Sequence, residues 1–94
     1  MIYKILFSKK YKKSYKRVCQ QAGFPQEKLG QFVDYLACSQ RLPEQARDHQ
    51  LKGDAQHLRQ CHIKDDLLLQ YERDDKLKII TLADIGTHHQ LLEI

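Results

Sequence analysis

Apolar and polar positions alternate over Tyr3-Lys4-Ile5-Leu6-Phe7, the signature of a short β-strand. Ser8 follows as a helix cap, because its hydroxyl can accept a bond from an orphan amide. Tyr11, Tyr15, Val18 and Ala22 then recur at helical spacing, which places them on one apolar face and leaves the lysines on the other. Gly23 suits the C-terminal stop. Pro25 is tolerated in the first turn of a second helix, where its missing N–H costs nothing. Leu29, Phe32, Val33 and Leu36 form the buried stripe of that helix, and the pattern fades after Cys38. Residues 40–56 are irregular and hold Pro43 and Gly53. That is long for a connection in a small domain, and such loops often carry function.

Three strand-like runs come next, at 57–63, 67–72 and 76–82. In the middle one, Leu67-Leu68-Leu69 predicts a strand covered on both faces. In the last, Leu77 and Ile79 alternate with Lys76 and Lys78. Lys64-Asp65 and Arg73-Asp74-Asp75 are breaks of hairpin length. Gly86-Thr87-His88-His89 is expected to leave the sheet. The sum is an α+β fold in the order β-α-α-β-β-β. A small, mainly antiparallel four-stranded sheet carries two N-terminal helices on one face, as a single domain over 1–94.

Charge changes this picture. The formal net charge of +4 is unevenly spread. Lys4, Lys9, Lys10, Lys12, Lys13, Lys16 and Arg17 all precede the first acid, Glu27, whereas the rest of the chain is acid-rich. A basic helix attracts polyanions, although it also serves as an ordinary solvated face. With a mean hydropathy of −0.65 and no apolar run of about 18 residues, no membrane span or signal segment is expected. Cys19, Cys38 and Cys61 are odd in number and widely spaced, so they are expected to be reduced thiols in a cytoplasm, as small buried hydrophobes.

The hairpins bring candidate chemistry together. If the second strand ends beside the start of the third, His62 and Asp66 share one end of the sheet. The fourth strand returns to that end, so His88 and His89 arrive there too. His49 stands eight residues before the second strand, enough chain to reach the same place. Histidine titrates near pH 6.5 and serves as acid or base. Such a group suits RNA cleavage by the RNA's own 2′-hydroxyl, with one residue removing a proton and another protonating the leaving oxygen. His57 has no such placement, Asp65 is read as a turn residue, and Asp48 as a turn or cap residue. A zinc site is the other reading of His and Cys clustering, but Cys61-His62 and His88-His89 are adjacent and lack ligand spacing. No metal or cofactor is therefore expected.

Three elements occur in order: Asp48-His49-Gln50-Leu51-Lys52-Gly53, then Arg59-Gln60-Cys61-His62-Ile63-Lys64-Asp65-Asp66, then Gly86-Thr87-His88. With them the chain resembles the YafQ branch of the RelE/ParE toxin superfamily along nearly its whole length. The resemblance implies a ribosome-dependent endoribonuclease, the cytoplasmic toxin of a bacterial toxin–antitoxin pair, which cuts mRNA in the ribosomal A site. It also implies a DinJ-type, ribbon-helix-helix antitoxin that brings the pair to operator DNA. His49, His62, Asp66 and His88 fall on the family's catalytic positions, with His88 as general acid and Asp66 or His49 as base or its orienter. Lys52 and Arg59 are candidate phosphate contacts, and Lys9, Lys10, Lys12, Lys13, Lys16 and Arg17 would grip ribosomal RNA. Gln60 stands where some relatives carry a carboxylate, and Leu92 where they tend to carry an aromatic. Two other functions fit the residues: a non-catalytic module of the same fold, and a basic nucleic-acid-binding protein with structural histidines.

Overall fold

The computed structural model describes residues 2–92, and of Leu92 only the backbone. Strand β1 (Lys4–Phe7) leads into helices α1 (Lys9–Val18) and α2 (Gln26–Ala37). Strands β2 (His49–Gln50), β3 (Arg59–Lys64), β4 (Leu67–Asp74) and β5 (Ile79–Gly86) follow, and a short helix α3 (His88–Leu92) comes last. The strands lie in the order β1-β5-β4-β3-β2, with β1 parallel to β5 and every other pair antiparallel. The expected α+β fold is present. Its sheet has five strands rather than four, and a third helix closes the described chain. Among the described residues, no helix is long and apolar enough to cross a membrane.

Ser8 caps α1 as expected, accepting from the Tyr11 amide at 3.0 Å. The helix stops at Val18, so Ala22 falls outside it and is exposed. From α1 and α2, Tyr11, Val18, Leu29, Phe32 and Leu36 pack with Cys61, Ile63, Leu69, Tyr71, Ile80, Leu82 and Ile85 of the sheet. Leu68 and Leu69 point to opposite faces of β4 and are both fully buried, which explains the uninterrupted leucine run. Of the three cysteines only Cys61 is buried, and burial pushes its thiol up to about 12; Cys38 is exposed.

Two expectations are corrected. The last strand occupies 79–86, not 76–82, because Asp74 accepts from the amides of Lys76 and Leu77 and Lys78 takes a left-handed conformation. The Lys76–Lys78 alternation is therefore a turn, and Leu77 is 68% exposed. β1 is tied to this turn by the Tyr3 hydroxyl, which donates to Asp75 at 2.6 Å and accepts from Arg73. The first run likewise starts at Arg59 rather than 57, since a 3-10 turn at Gly53–Ala55 and a further turn bond use up the residues before it.

Segment 40–56 is irregular but held. Leu42, just before a 3-10 turn at Glu44–Ala46, and Ala46 within it are buried in the core, and β2 pairs with Arg59 and Gln60. Leu42→Ala is expected to cost about 2–5 kcal/mol in urea denaturation. An unchanged midpoint would show that the segment is not anchored there.

Candidate functional site

The end of the sheet that carries the β3–β4 turn brings His62 and His88 together, while His49 pairs with Gln60 nearer the start of β3. Asp65 turns the chain at φ 46°, and a register shift between His62 and Lys64 bends β3 just before it. Such irregularities re-aim side chains at sheet ends. Gly86 pairs with Leu68, so β5 ends at the same place and delivers α3 there.

The start of α3 is fixed by a reciprocal cap. The Gln90 amide donates to the Thr87 hydroxyl at 3.2 Å, and the Thr87 amide donates to Gln90 Oε1 at 2.9 Å. Glycine at 86 makes room for this: a Cβ there would lie 2.6 Å from Gln90 Oε1. His88 is thus placed in the first turn. Its amide and its ring Nδ1 both donate to Asp66 Oδ1, at 3.0 and 2.5 Å. A carboxylate only accepts, so Nδ1 carries the proton and Nε2 is the atom left to exchange one. These two bonds hold the Asp66 carboxyl below its ordinary value, the ring contact contributing most.

His62 packs its ring against His88, with centroids 5.3 Å apart. Its Nδ1 is buried without a hydrogen-bond partner. Burial is the main cause that lowers its pKa, and the charges of Arg47, His88 and His49 add to it, against the Ala46 backbone. His62 therefore favours the neutral ring. His49 stands close enough for its charge to act on His62, and its Nδ1 lies 2.7 Å from the Arg47 carbonyl. That carbonyl can only accept, so His49 too keeps Nε2 open. The sequence-predicted set is thereby assembled, with His62, Asp66 and His88 in contact and His49 beside them.

Other candidates divide. Arg59 donates to Asp48 at 3.3 Å. Burial lowers its pKa, but the bonds with Tyr71 and Asp48 more than reverse this, so it serves the scaffold. Lys10 lies 3.5 Å from the buried Asp84. Lys9, Lys12, Lys13, Lys16, Arg17 and Lys52 are exposed. Gln60 is buried and accepts from Gln70 at 2.9 Å, away from solvent. The Leu92 side chain lies outside the described residues.

Sequence reasoning missed Asp48 and Arg47. Asp48 is no simple turn residue: it accepts from the Tyr71 hydroxyl at 2.6 Å as well as from Arg59, and so clamps the segment that presents His49. Its position next to His49 was the available signal. Arg47 gave none, because its role depends on a left-handed backbone (φ 48°). Among the described residues, no three His, Cys, Asp or Glu side chains stand where a single metal ion could join them. Two imidazoles with open Nε2 atoms, flanking a neutral third, can instead give and take protons across a bound phosphodiester.

Gly86→Ala is expected to displace Gln90 from the cap. It would cost about 1 kcal/mol in thermal denaturation and shift the His88 ring signals in NMR; retention of both wild-type values would refute the role given to Gly86. The depressed His62 sets a pH dependence. As pH falls below 6.5, the unfolded chain binds the His62 proton before the native one does, so native stability declines. Denaturation midpoints measured across this range should fall less steeply for His62→Gln than for wild type.

A family model described as a bacterial toxin of type II toxin–antitoxin system, YafQ, matches residues 3–93. A metal-bound toxin from Helicobacter pylori is 36% identical and superposes with a TM-score of 0.86, over 95% of this chain and 98% of that one. The toxin of the E. coli DinJ–YafQ complex is 27% identical with a TM-score of 0.83, over 97% and 98% of the two chains. No curated protein matches the sequence. The chain belongs to the YafQ family of bacterial toxins of type II toxin–antitoxin systems.

Proposed function

We propose that this toxin is a ribosome-dependent endoribonuclease that cleaves mRNA in the A site and so stops translation. The observation that carries this reading is the contact of His88 with Asp66 and His62, with His49 beside them, because a binding module needs no such set of titrating groups.

His49 Nε2 takes the proton of a ribose 2′-hydroxyl, whose oxygen attacks the adjoining phosphorus. The bond from phosphorus to the 5′-oxygen breaks, and His88 Nε2 protonates that oxygen as it leaves. The products are a 2′,3′-cyclic phosphate and a 5′-hydroxyl. Asp66 holds the His88 ring and does not itself exchange the proton. His62, favouring its neutral form, offers an N–H to the phosphate. Both proton transfers are carried by imidazoles, so the reaction requires no metal.

The exposed lysines of α1 supply salt-sensitive attraction to ribosomal RNA. By kinship with the E. coli complex, a DinJ-type antitoxin neutralises this toxin and links it to operator DNA. The toxin then acts in the bacterial cytoplasm.

His88→Gln is expected to reduce cleavage of mRNA on ribosomes by about 10²–10⁴-fold, with the chain still folded as judged by circular dichroism. Mapping mRNA 5′ ends after expression measures this. Wild-type cutting by that variant would remove His88 as the acid, and growth arrest by the wild type without cuts would select the non-catalytic module.

A further inference from the structure

On the segment that leads into His49 lies a polar cleft of about 630 Å³ that the reaction as written leaves unfilled. Its walls include Arg41, Glu44, Arg47, Asp48 and Arg59. Arg59 and Asp48 satisfy each other at 3.3 Å, and the Tyr71 hydroxyl completes Asp48. No ion pair joins Arg41 or Arg47 to an acid among the described residues. Glu44 contributes one opposing charge, so the cleft retains an excess of guanidinium. The walls do not depend on a ligand for their shape, since Leu42 and Ala46 are buried in the core. No aromatic ring lines the cleft, so nothing there offers a surface for a base to stack on. Its chemistry is that of a phosphate site, and guanidinium groups match phosphate oxygens in pairs.

We propose that the Arg41–Arg47 cleft binds a phosphodiester of the message next to the one being cut. This rests on the nuclease reading above. Arg47 joins the two places: its carbonyl holds His49 Nδ1, while its side chain lines the cleft. The left-handed turn at Arg47 is the local strain that permits both. A phosphate held there fixes the strand relative to His49, and it does so without reading sequence, as backbone contacts do.

The test uses the full chain and a trinucleotide of DNA, which lacks the 2′-hydroxyl and cannot be cut. In NMR titrations, the amide and Nε–H signals of Arg41 and Arg47 should shift. The double variant Arg41→Gln/Arg47→Gln should bind at least about tenfold more weakly. Its salt dependence should be shallower, by ~0.7 in log–log slope for each phosphate no longer neutralised. Both positions are exposed, and an unchanged thermal midpoint verifies that the variant folds. Unchanged affinity of the double variant, shifts confined to the α1 lysines, or tighter binding of hexaglutamate than of the trinucleotide would each overturn the proposal. Equal loss of affinity for ribosomes lacking mRNA would place the phosphate in ribosomal RNA, and would overturn it too. Because the probe has no nucleophile, its binding is read without cleavage; the double variant reports on the cleft, and mRNA cleavage reports separately on the histidines.

Discussion

One oxygen of Asp66 receives two hydrogen bonds from a single residue, the amide and the ring of His88. This joins the β3–β4 turn to the first turn of α3, elements that otherwise meet only through the sheet. A lone surface ion pair is worth little, because two flexible side chains must be ordered to make it. Here that cost is already met. The reciprocal Thr87–Gln90 cap fixes the backbone of His88, and the left-handed Asp65 fixes the turn that carries Asp66. The ring orientation of His88, and with it the position of Nε2, follows from these backbone constraints.

His49 is built by a different route to the same result. It stands on a two-residue strand at the sheet edge, which by itself would hold a side chain loosely. Asp48 is held by Tyr71 and Arg59, and the Arg47 carbonyl is held against the ring. A strong acceptor on Nδ1 thus selects the same tautomer in both outer histidines, one through a carboxylate and the other through a peptide carbonyl. His62 lies between them with an unsatisfied nitrogen, a cost that buried polar atoms bear rarely and mostly for function.

Much of this was legible in the residues. The two helices, the buried leucine run and the meeting of His62, Asp66 and His88 follow from periodicity and chain reversal. Strand ends were less legible. Lys76-Leu77-Lys78 alternates as a strand does, and only the side-chain bonds of Asp74 make it a turn. β2 was missed because two residues carry no periodicity; their pairing depends on Leu42 and Ala46 reaching the core from a segment without a regular pattern. The cap of α3 was readable in Thr87-x-x-Gln90. The double role of Arg47 was not, since it is a property of backbone conformation and not of residue type.

The parallel pairing of β1 with β5 has a consequence for when the molecule comes into being. Ser8, just past the first strand, bonds to Ala83, 75 residues further on. During synthesis β1 has no strand partner until β5 has been made, and His88 follows β5 directly. Contacts between such distant segments form late, after the entropy of closing the chain has been met. A chain cut short before β5 lacks both the strand partner of β1 and the histidine that bonds Asp66. The first strand and the sheet end that carries His62 and Asp66 are therefore completed together, by one late strand.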